Sequence, residues 1–216
     1  MESKIIRSFV VFFSLGCVVM CDANASEVQS TTKEFRDDTH HIRELVADFQ
    51  SEQALILAND ALQKYGQLPI LHNLKAQAYK NMSKTQSAIT EYTLAINESE
   101  KLQRSANMRG VLYRDRAEQY IRIKDYDSAI TDLTKCNTLQ PGLGLTLLER
   151  AECYQFKKNY KAMVADVTQA LKVGIDVPMQ FRAYNGRAEA YDKLGQPELA
   201  KADREKLRHL HDLYLN

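Results

Sequence analysis

Five histidines are the side chains best suited to acid–base or metal chemistry in this 216-residue chain, and they lie in three separated places. They are His40, His41, His72, His209 and His211. No cysteine or carboxylate accompanies them at the spacing typical of metal ligands, so we expect them on helix surfaces. The sequence also lacks a glycine-rich phosphate loop and the Gly-x-Ser-x-Gly and His-Glu-x-x-His motifs. We therefore expect no enzymatic activity, no metal and no cofactor.

The charged residues recur in a repeat instead. Three nearly identical pentapeptides of the form Arg-Ala-Glu-x-Tyr end at Tyr120, Tyr154 and Tyr191, at intervals of 34 and 37 residues. A period in this range is typical of stacked-repeat proteins, in which each unit buries its apolar face against its neighbours. Catalytic residues have no reason to recur in register. The repeat therefore indicates architecture and a surface that holds another molecule.

Two oppositely charged positions recur with the tyrosine when it is placed at position eleven of a 34-residue unit. Position seven is Lys75, Arg116, Arg150 and Arg187, and position twenty-three is Glu91, Asp132, Asp166 and Asp203. Glutamate replaces aspartate in the one unit that has lysine for arginine. We predict an ion pair within each unit, the alternative being two unrelated solvated charges. If exposed, each pair would contribute only ~0–1 kcal/mol.

The same alignment predicts two helices in each unit. A small residue and an aromatic residue lie three apart, on one helix face, in the pairs Ala76 and Tyr79, Ala117 and Tyr120, Ala151 and Tyr154, and Ala188 and Tyr191. Apolar residues then recur at helical spacing, as in Met163, Val167 and Ala170. Lys84, Lys124, Lys158 and Gly195 fall where the turns between the helices belong, and we expect Pro141 and Pro178 to end helices between units.

This pattern resembles the tetratricopeptide repeat family. The unit that begins at Gly110 matches that family's positions with Ala117, Tyr120, Ala129, Leu133, Cys136 and Pro141. The family's tryptophan at position four is absent, and the last unit has the polar Arg204 where the family has a bulky residue. The resemblance implies an all-α fold, a right-handed α-solenoid of stacked helix-turn-helix hairpins.

The domain boundaries follow from the repeat alignment. We expect a signal peptide at 1–25, a linker at 26–34, repeat units at 35–68, 69–102, 110–143, 144–177 and 181–207, and a helical extension at 208–216. The second and third units begin 41 residues apart, seven more than the period. Seven residues are close to two helical turns, so Glu98 to Met108 can lengthen a helix without rotating its apolar face.

The resemblance also implies a peptide-binding groove, because positions two, five, nine and twelve of the first helix line the concave face in that family. The corresponding candidates are Ile70, Asn73, Gln77, Val111, Arg114, Glu118, Leu145, Leu148, Glu152, Asn185 and Glu189. An apolar patch flanked by carboxylates suits a peptide with apolar anchors and some basic residues. The alternative is ordinary solvated helix surface. The glutamates would repel a carboxylate ligand, so we do not expect the chaperone-tail recognition known in this family.

Two cysteines, Cys136 and Cys153, fall at similar distances on either side of a predicted turn near Gly144. Antiparallel helices would place them level with one another. A disulfide is then one possibility, since it needs Cα atoms within ~7 Å. The alternative is a pair of free thiols that act as small core residues.

The N-terminal segment has the three-part pattern of a secretory signal. Lys4 and Arg7 precede an uncharged apolar run, and Ala23-Asn24-Ala25 offers a cleavage site. The run is shorter than the ~20 residues of a spanning helix, so cleavage is favoured over a membrane anchor. We expect export, to a bacterial periplasm first, with secretion or signal anchoring as alternatives.

The numbers of basic and acidic residues limit the kinds of partner that we expect. Lys plus Arg is 29 and Asp plus Glu is 28, so the chain lacks the basic excess of a nucleic-acid binder. We expect a protein or peptide partner, no nucleic acid, no small-molecule substrate, and membrane contact only through an uncleaved signal. The expected function is an adaptor that binds its partner in the groove. The alternative is a structural subunit of a cell-envelope complex that packs through its convex face or its ends.

Overall fold

The fold is helical throughout the part of the chain that the structure describes. The structure is a computed structural model that describes the backbone of residues 25–214 and the side chains of residues 31–214. Within that range it contains ten α-helices and no β-strand. The helices are α1 (Ala25–Ala47), α2 (Ser51–Tyr65), α3 (Pro69–Asn81), α4 (Thr85–Lys101), α5 (Ala106–Arg122), α6 (Tyr126–Leu139), α7 (Gly144–Phe156), α8 (Tyr160–Val173), α9 (Val177–Lys193) and α10 (Pro197–Tyr214).

The helices fall into two compact units. The first unit ends at Arg104 and contains α1 to α4, and the second begins at Ser105 and contains α5 to α10. Within each unit, consecutive helices pack as hairpins, α1 with α2, α3 with α4, α5 with α6, α7 with α8, and α9 with α10. The predicted all-α class and the pairing of two helices per repeat are therefore confirmed.

Small side chains form the contact between the two helices of a hairpin, as the sequence pattern predicts. The alanines at the predicted contact positions, Ala76, Ala88, Ala117, Ala129, Ala151, Ala188 and Ala200, are all buried. In the second unit Met163, Val167 and Ala170 of α8 join Ala151 of α7 in one apolar cluster. Close approach of two helices needs small residues at the crossing, and burial of the apolar stripes supplies most of the stability.

Each hairpin turn ends its first helix with the same backbone motif. The second residue after the helix has a left-handed conformation, at Phe49 (φ 59°), Ser83 (φ 57°), Lys124 (φ 62°), Lys158 (φ 57°) and Gly195 (φ 70°). The next amide donates back five residues, as when Asn159 N–H bonds the Tyr154 carbonyl at 2.8 Å. This is the Schellman arrangement, which satisfies carbonyls that the helix end would leave free. Four of the five turns use a residue other than glycine.

Side-chain caps fix where several helices start. At three helix starts a side-chain oxygen accepts a hydrogen bond from the backbone amide three residues later. The acceptors are Oδ1 of Asp125, Asn159 and Asp176, at 3.2, 3.3 and 2.8 Å respectively. Such caps satisfy amides that have no partner within the helix. Pro178 lies in the first turn of α9 rather than at a helix end, so the prediction that it stops a helix was wrong. Its missing N–H is harmless in a first turn, where that amide has no intrahelical acceptor.

Two segments differ from the expected boundaries. Residues 26–34, which we expected to form a linker, belong to α1, and the segment from Ala25 to Ala47 contains no glycine or proline to interrupt a helix. The seven additional residues between the second and third repeats lengthen both flanking helices, since α4 and α5 have 17 residues each and a turn separates them. The predicted signal peptide lies outside the described residues, apart from Ala25.

Candidate functional site

An ion pair links the two helices of every hairpin from the second repeat onward. Arg150 Nε and Nη2 donate to both carboxylate oxygens of Asp166, at 2.8 and 2.7 Å. The same bidentate geometry joins Arg116 to Asp132 and Arg187 to Asp203. The predicted pairing is confirmed, but the pairs are not exposed, because the Arg150 and Asp166 side chains are only 15% and 10% exposed.

The same arginines also reach the preceding hairpin. Arg150 Nη1 donates to Thr134 Oγ1 on α6 at 3.0 Å, and Arg187 Nη1 donates to Thr168 Oγ1 on α8 at 2.9 Å. Each guanidinium therefore ties together three helices of the second unit. The fork geometry of arginine allows this, since its N–H groups point in fixed, separate directions.

The first unit contains a variant of this pair, with a histidine added. Glu91 receives Lys75 Nζ on Oε1 at 2.6 Å and faces His72 Nδ1 through Oε2 at 2.7 Å. Burial raises the pKa of Glu91, but the hydrogen bonds from His72 and Lys75 outweigh it, so the net pKa lies below its usual value. His72 is 2% exposed, so the prediction that it lies on a helix surface was wrong.

The reason for that error is local. Gln67 Oε1 faces His72 Nε2 at 2.8 Å, so both ring nitrogens of the buried imidazole have partners. The sequence carried a signal for this arrangement. His72 occupies position four, where the later repeats have Tyr113, Leu147 and Tyr184, and it occurs in the one unit with Lys and Glu in place of Arg and Asp.

The groove candidates of the first unit lie on α3. Ile70 is half-buried and packs against the core of that unit, and Gln77 Nε2 donates to Asn73 Oδ1 at 3.2 Å. These three residues share the helix face that their spacing predicts.

The groove candidates of the second unit lie on three helices. Val111, Arg114 and Glu118 are on α5, Leu145, Leu148 and Glu152 are on α7, and Asn185 and Glu189 are on α9. Leu148 is 6% exposed, whereas Val111 is 40% exposed, so the expected apolar patch is only partly accessible.

A cleft between α7 and α9 brings four of these candidates together. The cleft has a volume of about 300 Å³, and its lining includes Leu148, Glu152, Asn185 and Glu189. Apolar side chains of α7, α8 and α9 also line it, namely Leu148, Ala151, Met163, Val167 and Ala183. We call this space the α7–α9 cleft. An apolar interior with polar side chains at its mouth is the usual composition of a ligand-binding cleft.

Two side chains at the mouth of the cleft are already paired, and one carboxylate forms no ion pair. Arg182 forms an ion pair with Glu152. Glu189 accepts a hydrogen bond from Asn185 Nδ2 at 3.0 Å, and within the described part of the chain it forms no ion pair. Glu189 is exposed, so its carboxylate is accessible from solvent.

A half-buried carboxyl, Glu149, lies on α7 directly after the cleft residue Leu148. Its Oε2 atom is buried without a hydrogen-bond partner in the described structure. Burial raises the pKa of Glu149 to about 7, and the nearby carboxylates Glu118 and Glu152 add to that rise while Arg114 opposes it. Glu149 therefore titrates near neutral pH, which the sequence did not indicate.

Eight residues that line the cleft were not among the candidates, and Gly186 and Phe156 are two of them. Gly186 lies on its lining, and Phe156 stands at its edge with 63% of its surface exposed. The Phe156 ring stacks on Tyr126 with 4.7 Å between centroids. The repeat alignment contains one signal for Gly186. It occupies position six, where the other units have Leu74, Asp115 and Glu149.

The two cysteines are free, buried thiols in the structure. Cys136 Sγ lies 3.6 Å from Thr146 Oγ1, whereas Cys153 packs with Ala117, Ala129 and Leu133. The structure therefore corresponds to the free-thiol alternative, in which both serve as small core residues. Burial raises the pKa of Cys153 to about 12, so its thiol stays protonated at neutral pH.

The described residues offer neither a metal site nor a membrane-spanning helix. In that part of the chain, no three His, Cys, Asp or Glu side chains are grouped so that they could hold a metal ion. None of the helices described has the length and apolar character needed to cross a bilayer.

Comparison with known proteins identifies the repeat. A family model described as a tetratricopeptide repeat matches residues 181–207, which include the Gly186 segment and Arg204. Residues 181–207 are therefore similar to a tetratricopeptide repeat. The matched unit is the one whose polar Arg204 departs from the family pattern. No curated relative matches the sequence.

Solved structures similar to this chain show the same fold. A MamA protein is 16% identical and has a TM-score of 0.69, covering 85% of this chain and 93% of its own. Nearly identical TPR-like repeats of a putative kinesin light chain from Podosopora anserina are 17% identical, with a TM-score of 0.65, covering 85% and 98%. YrrB, described as a TPR protein with an unusual peptide-binding site, is 11% identical, with a TM-score of 0.69, covering 90% and 95%. These likenesses support an all-α, tetratricopeptide-like solenoid.

Proposed function

We propose that the protein is an interaction scaffold that binds a protein or peptide partner through the α7–α9 cleft. The observation that carries this proposal is the convergence of Leu148, Glu152, Asn185 and Glu189 on one cleft with an apolar interior. The fold is typical of scaffolds rather than enzymes. A peptide-binding site in YrrB, which has a similar fold, is consistent with this role.

The chemistry of the cleft favours a peptide with apolar and basic side chains. Its interior is apolar, and the carboxylates of Glu152 and Glu189 lie at its mouth. Because Arg182 already pairs with Glu152, an acidic peptide or a free carboxylate terminus would meet chiefly the like charge of Glu189, and repulsion of this kind contributes to selectivity. The exposed Phe156 ring extends the apolar surface beyond the mouth.

Two substitutions test the proposed function directly. Leu148→Arg places a charge in the cleft, and Glu152→Gln removes one carboxylate without changing shape. Screening on an array of synthetic decapeptides should show binding by the unaltered protein and its loss in Leu148→Arg. Leu199→Arg is the control for an added charge outside the cleft lining, and it is more exposed than Leu148, so the fold of both variants is measured as well.

The outcome separates the two candidate functions. Binding that survives Leu148→Arg but is lost in Leu199→Arg would favour packing through the outer helices, as in a structural subunit. An array on which no peptide binds the unaltered protein would contradict peptide recognition altogether. Far-UV circular dichroism of both variants shows whether the fold is retained.

We further propose that the protein is exported. The support is the basic start at Lys4 and Arg7, the uncharged run that follows and the small residues Ala23 and Ala25. Mass spectrometry of the protein purified from its native host tests this. A mature N-terminus near Ser26 is expected, and a chain in the cytosolic fraction that retains Met1 would contradict export.

A further inference from the structure

One residue of the α7–α9 cleft lining is a glycine at a position where the other repeats have a side chain. Position six of the repeat is Leu74, Asp115 and Glu149 in the earlier units and Gly186 in the last. A Cβ atom added at Gly186 would lie 3.0 Å from Met163 Cε. The absence of a side chain at Gly186 therefore lets the Met163 methyl group pack against the backbone of α9, and a larger residue at position 186 would push Met163 into the cleft.

The cleft has the size and lining for a single large apolar side chain. Its volume of about 300 Å³ lies at the lower end of the range for ligand sites, about 300–1,000 Å³. Met163 contributes a flexible thioether that adapts to guests of different shape. Phe156, exposed at the edge, offers a further apolar contact to whatever enters.

The charges at the mouth indicate what should flank that apolar side chain. Arg182 compensates Glu152, and Glu189 forms no ion pair among the described residues, since its cationic neighbour Arg204 is paired with Asp192. Glu189 and Gly186 lie three residues apart on α9 and therefore on the same helix face. A cation on a residue next to the buried side chain would lie within reach of the Glu189 carboxylate.

We propose that the α7–α9 cleft is an anchor pocket that takes one Leu, Met or Phe side chain of a peptide partner, with an adjacent Lys or Arg paired to Glu189. This inference rests on the proposed function and specifies its partner. Gly186 sets the size of the pocket, and Glu189 sets the preferred charge of the neighbouring residue. Repacking of Met163 accounts for tolerance among the three anchors.

An array of synthetic decapeptides tests the pocket through its preferences. The peptides carry Ala, Leu, Met or Phe at a central position and Lys, Gln or Glu beside it, in an otherwise Ser/Ala sequence. Dissociation constants of the full chain are then measured by fluorescence anisotropy. We expect Leu, Met or Phe to bind about tenfold tighter than Ala, because burial of such a side chain is favourable. Lys beside the anchor should bind several-fold tighter than Glu.

Variants assign these preferences to the two residues. Gly186→Leu should abolish the preference for a large anchor, and Gly186→Ala, which meets only the flexible end of Met163, should reduce it. Glu189→Lys should reverse the preference from Lys to Glu beside the anchor. Glu198→Lys, an exposed glutamate on α10 outside the cleft lining, is the charge control and should change neither preference.

Each outcome decides the proposal. If Gly186→Ala and a folded Gly186→Leu both keep the preference for a large anchor, the pocket assignment is overturned. The proposal that the protein binds peptides would still stand. An unchanged preference for Lys in Glu189→Lys overturns the charge assignment. Binding to no peptide of the array overturns the proposed function as well, so the two failures are distinguishable.

Discussion

The ion pair between Arg150 and Asp166 should stabilise the second unit much more than an exposed pair does. The perturbation is a double-mutant cycle with Arg150→Met, which keeps most of the aliphatic stem, and Asp166→Asn, which keeps the shape of the side chain. The pair has two charge-assisted hydrogen bonds of 2.8 and 2.7 Å and side-chain exposures of 15% and 10%. Its surroundings thus lie between those of surface and fully buried pairs.

The magnitude follows from those two limits. Exposed pairs contribute about 0–1 kcal/mol, and removal of one partner from a buried pair costs about 3–5 kcal/mol. We expect Asp166→Asn to cost about 2 kcal/mol. Arg150→Met should cost about 1 kcal/mol more, because it also removes the hydrogen bond to Thr134 Oγ1 at 3.0 Å. The double variant should resemble Arg150→Met, which gives a coupling energy of about 2 kcal/mol.

Urea unfolding of the full chain, followed by far-UV circular dichroism, measures these free energies. The control cycle uses Lys101→Met and Glu98→Gln, whose pair within α4 has a lysine side chain that is 68% exposed. That coupling should stay below about 0.5 kcal/mol. If the two substitutions lower the free energy of unfolding additively, or if their coupling energy is no larger than that of the control, the pair does not stabilise the hairpin more than an exposed pair.

Three further predictions concern titration and turns. Burial raises the pKa of Glu149 from 4.5 to about 7, so the folded state keeps a proton that the unfolded state has lost. Stability should therefore fall by roughly 3 kcal/mol as pH rises from 4.5 past 7, and Glu149→Gln should remove this fall in paired pH–urea profiles. Arg114, Asp115, Glu118 and Glu152 are the charged neighbours, and a difference profile with the opposite slope would contradict the assignment. Lys158→Gly should stabilise the chain by about 0.5–1 kcal/mol, because Lys158 has a φ of 57° in a turn that favours glycine. Gly195→Ala, at a φ of 70°, should destabilise it by about 1 kcal/mol, and equal unfolding midpoints for these turn variants would show that the left-handed turns carry no strain.

Much of the fold could be predicted because it depends on features that repeat. The Ala and Tyr spacing identifies the first helix of each unit, and the recurring charges identify which helices pair. The intervening turns follow from the same register, although lysine gives no local indication of a left-handed conformation at Lys124 or Lys158. A periodic feature recurs in four units, so a different residue in one unit does not hide the pattern.

Features that occur once were missed because they depend on three-dimensional neighbours. His72 is buried since Glu91 and Gln67 both face it, and neither contact follows from its own position in the sequence. The α7–α9 cleft is lined by residues of three helices, among them Gly186 against Met163, and a glycine within a helix predicts weakness rather than a pocket. The raised pKa of Glu149 likewise depends on burial between helices.

The central claim is that the cleft in the second unit is where a peptide binds. Its most direct test is a titration of ¹⁵N-labelled protein with the tightest-binding decapeptide of the array, followed by amide chemical shifts. The account predicts the largest, saturable changes at Leu148, Glu152, Gly186 and Glu189, with little change in Gly186→Leu under the same conditions. Changes confined to α6 and α10, with the amides of α7 and α9 unmoved, would contradict it.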